Sequence, residues 1–243
     1  MKVNFFAKNK ISASRKKLLL DFQKNNNLNF KDISLLDLAF THRSVVNENS
    51  FLHENNERVE FLGDAVLEMV TAAYLYEKYK TESEGDLAKI KSAVVSEASL
   101  ADIGLKLGVD KCLLLGKGEE NTGGRKKKAI LADCVEAIIG AYYLDSGYKA
   151  TEKFILLWMI AVVEGFKQNP ALKDYKTQLQ ELCQKQFKVC PKYQMIKKSG
   201  PDHNRTFWMS VDINGTVFGP AKGKNKKEAE QSVAKIALNN FEK

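Results

Sequence analysis

Three carboxylates, Glu57, Glu60 and Asp64, fall at i, i+3 and i+7 in the segment NERVEFLGD. At 3.6 residues per turn this spacing keeps them within an arc of about 60° on one face of a helix. Like charges so aligned repel by roughly a few tenths of a kcal/mol when exposed. Burial beside Phe61, Leu62, Ala65 and Val66 would cost far more unless a cation compensates. A second pair, Asp133 and Glu136, repeats the problem at i, i+3 in the otherwise apolar segment LADCVEAIIGAYYLD. One acidic pair alone is more often a solvated helix face. Two helices that both carry such pairs suit a Mg²⁺ ion, which prefers hard oxygen donors and retains waters.

These side chains need a helical scaffold, and up to about residue 168 the apolar spacing is mostly helical. Helices are expected around KKLLLDF (16–22) and SLLDLAF (34–40), with Ser34 and Asp37 as a capping box. A long helix should run from about Asn56 to Tyr79, followed by a shorter pair that ends on Gly108 as a C-cap. Two more are expected over Ala129 to Leu144 and Ala150 to Phe166, before Asn169-Pro170 marks a boundary. Gly63, inside the first acidic helix, costs about 1 kcal/mol relative to alanine, so close approach of another backbone is expected there.

Beyond the boundary the period changes. Tyr175 to Phe187 reads as a helix, and strands are expected over Tyr193 to Lys197, Thr206 to Ile213 and Thr216 to Phe218. Asn214-Gly215 is a strong hairpin signal. A last helix runs from Lys226 to Phe241. The expected architecture is an all-α domain followed by a small α+β domain of order α-β-β-β-α. Its expected divisions are a basic N-terminal extension at 1–11, the helical domain at 12–168, a linker at 169–173 and the α+β domain at 174–243.

The charge is partitioned along the chain. Of 243 residues, 1–31 carry 8 Lys/Arg against 1 acid, 32–172 carry 16 against 22, and 173–243 carry 14 against 7. A basic module suggests a polyanionic partner, since phosphate contacts dominate non-specific nucleic-acid affinity, and an acidic neighbour suggests metal binding. The 4 cysteines form no C-x-x-C pair and only 3 histidines accompany them, which argues against a zinc site or a disulfide framework. The apolar run Phe154 to Val163 is too short to span a bilayer and reads as a buried or dimer-forming helix. No secretory signal is recognisable, so a cytoplasmic location is expected.

NERVEFLGDAVLEMV resembles the signature segment of the ribonuclease III family, and LADCVEAIIGAYYLD resembles its second catalytic helix. AFTHRSVVNE (39–48), EGDLAKIKSAVVSE (84–97) and GEENTGGRKKKAILAD (118–133) are similar to further family segments in the expected order. The family commonly has His-Asn-Glu-Arg-Leu-Glu where this chain has Asn55-Asn56-Glu57-Arg58-Val59-Glu60. The resemblance implies a divalent-metal-dependent endoribonuclease that hydrolyses double-stranded RNA to 5′-phosphate and 3′-hydroxyl ends. It implies Mg²⁺, with Mn²⁺ as substitute, and no small-molecule cofactor. Glu60, Asp133 and Glu136 match metal-binding positions, and Asp64 and Glu136 match catalytic ones. Glu57 and Glu84 match accessory acidic positions. The resemblance also implies a homodimer with Phe61 at the subunit contact, a two-fold arrangement that suits one cut per strand.

The C-terminal module resembles the family's double-stranded RNA-binding domain. Duplex RNA is read through its minor groove, 2′-hydroxyls and phosphates. Gln180 and Gln184, at i, i+4 on the first helix, match one minor-groove contact, and the loop SGPDHNR with His203 matches the next. Lys224, Lys226 and Lys227 sit at the start of the last helix, where side chains and the helix dipole both favour phosphate. Arg125 to Lys128 are expected to hold phosphates near the metal. The implied substrates are structured precursors such as ribosomal RNA and some mRNAs. The alternative is a catalytically inactive relative that only binds duplex RNA, but such a protein is expected to lose some of the four central carboxylates, and this chain keeps them all.

Overall fold

The structure is a computed structural model that describes residues 11–48, 54–168, 175–201 and 205–241. The chain divides into two compact units, residues 1–168 and 169–243. Residues 1–10 of the expected extension, the expected linker, and His203 with its neighbours in the loop lie outside the described residues.

The first unit is helical. Its elements are α1 (Ala13–Asn25), α2 (Ile33–Ala39), α3 (Arg43–Glu48), α4 (Glu57–Lys78), α5 (Glu84–Val94), α6 (Glu97–Leu107), α7 (Val109–Cys112), α8 (Lys117–Asn121), α9 (Lys128–Ser146) and α10 (Tyr148–Gln168). Short polar caps set the starts. Ser83 accepts the Asp86 N–H at the head of α5, and Ser96 accepts the Ser99 N–H at the head of α6. Gly108 ends α6 in the left-handed region, at φ 79°.

The expected capping box at Ser34 and Asp37 is not what starts α2. Asp32 is the cap and accepts from the Ser34 N–H, while Asp37 forms an ion pair with Arg15 at 2.7 Å. The Arg15 guanidinium also donates to the Cys112 carbonyl. Asp37 thus joins α2 to α1 instead of capping its own helix, and the same Arg15 guanidinium ties α1 to α7.

Helix α9 is the centre of this unit, packed by α4, α6, α2 and α10. Eleven of its residues are buried, including Leu131, Cys134, Val135, Ile138 and Ile139, so it is apolar nearly all round, as a core helix must be. Asp133 and Glu136 interrupt that surface where α4 begins. Around α9 the core adds Leu19, Leu36, Phe40, Leu67, Leu75, Leu100, Ile155 and Met159. On α10, Phe154, Ile155, Met159 and Val163 are buried while Leu157 and Ile160 face outward.

The second unit is α11 (Tyr175–Phe187), β1 (Lys192–Ser199), β2 (Thr206–Ile213), β3 (Thr216–Gly223) and α12 (Lys226–Phe241). The three strands form an antiparallel sheet in the order β1-β2-β3. Met209, Val211 and Ile213 of β2 point into a core shared with Leu179, Cys183, Val233, Ala234 and Ala237 of the two helices. The β2–β3 turn has both central residues at positive φ, Asn214 at 51° and Gly215 at 87°, the geometry whose twist matches a right-handed hairpin. Strand β1 runs to Ser199 instead of Lys197 and β3 to Gly223 instead of Phe218, because β2 supplies backbone partners that far.

All four cysteines are free thiols, of which Cys112, Cys134 and Cys183 are buried and Cys190 is exposed. No described helix is long and apolar enough to cross a membrane.

Candidate active site

Glu60 projects from the first turn of α4, and Asp133 and Glu136 from the second and third turns of α9. Their carboxylate oxygens lie within 4.8 Å of one another, and all three side chains are half-buried. Burial is the largest influence on each and favours the neutral form. It pushes Glu136 up to about 8, helped by the charges of Asp64, Asp133 and Glu60. It pushes Glu60 up to about 7, helped by Asp133, Glu57 and Asp64 and opposed by Arg43. Asp133 is raised too, first by burial and next by Glu97. Such a cluster is short of positive charge.

The helices come this close because neither carries a side chain where they cross. A Cβ on Gly63 would collide with the Glu136 carbonyl oxygen and lie 2.8 Å from the Gly140 nitrogen. A Cβ on Gly140 would collide with the Val59 carbonyl oxygen and lie 2.9 Å from the Gly63 nitrogen. The two glycines therefore allow a backbone-to-backbone contact, which sets the distance between the acidic pair of α9 and Glu60. The expected close approach at Gly63 is met within the chain. Its partner Gly140 carries no signal in the sequence, since one glycine in a helix already rich in small residues has no meaning until the opposing helix is known.

Asp64 is exposed one turn beyond Glu60, outside the group of three, and its charge acts on both Glu60 and Glu136. Glu57 is exposed at the start of α4 and accepts from Arg43 at 3.3 Å and from Asn55 at 3.2 Å. The line of three carboxylates therefore divides, with Glu60 turned toward α9 and Glu57 toward a basic side chain. Glu84 is exposed in the first turn of α5 and is not among the leading influences on the three carboxylates. Glu97, in the first turn of α6, does act on Asp133.

Arg125 and Lys127 do not stand free as phosphate contacts. Arg125 pairs with Glu120 and donates to the carbonyls of Asp110 and Leu113, at 2.7 and 3.0 Å, while Lys127 pairs with Glu119 at 2.7 Å. Both tie the loop before α9 to its neighbours. Lys126 and Lys128 are exposed.

In the second unit Gln180 and Gln184 lie on the exposed face of α11 and line one shallow groove with Thr177, Glu181, Lys185 and Lys188. Lys224, Lys226 and Lys227 are exposed around the start of α12. There the Asn225 side chain accepts the Glu228 N–H at 2.9 Å, and the Glu228 carboxylate accepts the Lys224 N–H at 2.9 Å. This reciprocal cap fixes the backbone that carries the lysines.

The chain matches two family models, one described as ribonuclease-III-like over residues 32–163 and one as a double-stranded RNA binding motif over residues 175–241. It is 56% identical to Ribonuclease 3 of Treponema denticola, over 98% of this chain and 96% of that protein. To Ribonuclease 3 of Bacillus licheniformis it is 42% identical, over 100% of this chain and 97% of that protein. Among solved structures, the ribonuclease III nuclease domain of Campylobacter jejuni superimposes with a TM-score of 0.52 at 41% identity, over 57% of this chain and 93% of that domain. That structure is described as showing flexibility in a region involved in dimer formation.

Proposed function

The chain belongs to the ribonuclease III family and is a double-strand-specific endoribonuclease, and from that premise we propose that it is a metal-dependent one whose centre is Glu60, Asp133 and Glu136. The observation that carries this reading is the convergence of three half-buried carboxylates, each pushed toward its neutral form by burial and by acidic neighbours. Their fit to a divalent ion follows from donor chemistry. Three hard oxygens at this spacing are comparable to the roughly 4 Å span across a six-coordinate Mg²⁺, and binding would relieve the cost of ionising them in place.

Glu60, Asp133 and Glu136 would hold Mg²⁺, or Mn²⁺ as substitute, and such an ion when bound supplies an acidified water and positive charge beside the leaving oxygen. Asp64, exposed next to the cluster, is placed to accept a hydrogen bond from the attacking water and orient it. Glu136 would serve as the ligand that fixes such an ion beside the reacting phosphate, which is how its carboxylate enters the catalysis. Attack on phosphorus breaks the bond to the 3′ oxygen, leaving a 3′-hydroxyl on one fragment and a 5′-phosphate on the other. Glu57, held by Arg43, and Glu84 act as accessory acids toward the substrate.

The second unit supplies the duplex. Gln180 and Gln184 reach one minor groove, the loop containing His203 reaches the next, and Lys224, Lys226 and Lys227 take the phosphates between. The active form is a homodimer. Phe61 is 80% exposed, Met69 50% and Tyr76 76%, and with Ala65 and Ala72 they make one apolar stripe along the outer face of α4. A stripe of this kind on a soluble protein marks an interface. Its occupant is a second copy, in keeping with the dimer-forming region described for the Campylobacter jejuni domain. The substrates are structured precursors of ribosomal RNA and some mRNAs, met in the cytoplasm.

The test is incubation with a long duplex RNA, a matched duplex DNA and a single strand, each with Mg²⁺ or with chelator. Cutting confined to duplex RNA with Mg²⁺, leaving 5′-phosphate ends, is the expected result. Binding of duplex RNA without cutting would leave only a binding protein.

A further inference from the structure

The buried start of α4 and the strand-like segment before α3 place a histidine beside the carboxylates. The Thr41 carbonyl accepts the Asn56 N–H at 2.9 Å, and the Ala39 carbonyl accepts from the Asn56 side chain at 3.3 Å. Leu114 brackets the same segment, donating to the Phe40 carbonyl at 2.8 Å and accepting the His42 N–H at 3.1 Å. His42 is thus fixed by its backbone from two sides.

Its ring is fixed too. The Ser44 backbone N–H donates to His42 Nδ1 at 3.2 Å, so Nδ1 is an acceptor and the neutral ring carries its proton on Nε2. Ser44 Oγ lies 2.8 Å from Nδ1 and accepts the Gly116 N–H at 2.8 Å. Among the described residues Nε2 has no hydrogen-bond partner. The Ala39 carbonyl accepts from Cys134 Sγ at 3.4 Å, next to Asp133, so the segment that carries His42 packs against both acidic helices, and Glu119, Arg43, Asp133 and Glu57 are the leading charges acting on the ring. Burial, the largest influence, holds its pKa below the usual histidine value.

We propose that His42 is a substrate-positioning residue whose Nε2–H donates to a phosphate oxygen of the strand being cut. A cluster of carboxylates repels an incoming phosphodiester, so the site needs a donor that does not itself neutralise the metal ligands. A neutral imidazole meets that need. The neighbouring cation Arg43 is 64% exposed and already paired with Glu57. A hydrogen bond to a charged phosphate, formed in a partly water-excluded site, also orients the phosphorus for attack.

The inference rests on the nuclease reading, and amide substitutions separate the two. The asparagine amide of His42→Asn reproduces the position of Nδ1, whereas the longer glutamine amide of His42→Gln reproduces that of Nε2. With Mg²⁺ and duplex RNA, His42→Asn is expected to lose about ten- to a hundred-fold in kcat and His42→Gln to retain at least about ten times the asparagine variant's turnover. Duplex affinity measured in chelator should stay at the wild-type value in both. A ratio near one, or asparagine outperforming glutamine, would overturn the proposal and reduce His42 to a tie for Ser44. Ser44→Ala guards against misfolding of the histidine variants, since it leaves Nε2 in place and should lose less than His42→Asn. An equal or greater loss there would also overturn the proposal. A wild-type protein that does not cut duplex RNA would remove the nuclease reading itself.

Discussion

In the helical unit the proposed chemistry sits on half-buried groups from two helices in backbone contact, whereas in the α+β unit every described candidate RNA contact is an exposed side chain. The first arrangement couples function to fold. Moving α4 against α9 moves Glu60 against Asp133 and Glu136, and their charge is tolerated only with a proton or a cation. The second arrangement separates the two, because Gln180, Gln184 and the lysines of α12 contribute little to the core beneath them. Substitutions in the first unit should therefore give large effects with mixed causes, and those in the second smaller effects on binding alone.

The sharpest way to break this comparison is Glu136→Gln, which keeps shape and removes charge. Cleavage should fall by about a thousand-fold or more. Binding of duplex RNA should not change. Because the wild-type carboxyl resists ionisation, pushed up to about 8, the metal-free variant should be at least as stable as wild type at neutral pH. Single-turnover cleavage, a mobility shift in chelator and a thermal melt settle the three parts. Loss of binding together with cutting would mean that Glu136 supports the fold.

Gly63→Ala tests the same unit through its backbone. The added methyl meets the Glu136 carbonyl, which cannot swing away as a side chain would, so the helices must separate. A loss of about 3 kcal/mol is expected, at the upper end of overpacking costs, with cleavage impaired well beyond what the loss of folded protein explains. An unchanged melting curve would show that the crossing is looser than described.

The third prediction concerns protons. Unfolding lets Glu60 and Glu136 return to ordinary carboxylate behaviour near 4.5, whereas the folded, metal-free protein holds their protons up to about 7 and about 8. Between those limits the folded state binds more protons than the unfolded one, so these groups make stability fall as pH rises. Mg²⁺ binds the ionised carboxylates, so its stabilising effect should grow over the same interval. Melting with and without Mg²⁺ from about pH 5 to about pH 8 reads both trends. A Mg²⁺ increment independent of pH would place the ion elsewhere.

Much of this was legible in the sequence, for a physical reason that differs between the units. Helical periodicity and turn residues carry local information, so α4, α9 and the Asn214-Gly215 hairpin could be read directly. The acidic pairs stood out because acids on apolar helices are costly, and the resemblance to the ribonuclease III family supplied the roles proposed for them. What could not be read was tertiary partnership. Asp37 pairs with Arg15 instead of capping α2, and Arg125 and Lys127 are spent on Glu120 and Glu119. Glu97, at the start of a helix packed on α9, adds its charge to Asp133, a link that the sequence spacing does not show. Gly140 and His42 acquire meaning only once the crossing of α4 and α9 is known.

The α+β unit gives the smaller predictions. Replacing Lys224, Lys226 and Lys227 with alanine should weaken duplex binding and make its log–log salt dependence shallower by up to about 3, one released counterion per lost contact. The reciprocal cap of Asn225 and Glu228 is untouched, so the melting curve should not move. Smallest is the change at α11. Gln180→Ala and Gln184→Ala should each cost about 1 kcal/mol of duplex affinity, the worth of a hydrogen bond that water can replace. Neither should alter the salt slope, because a minor-groove contact releases no counterions. This last contrast separates groove reading from phosphate binding within one unit. A salt slope that flattens in the glutamine variants as it does in the lysine variants would mean that α11 lies along the backbone and that the groove beside Gln180 and Gln184 does not enter the duplex.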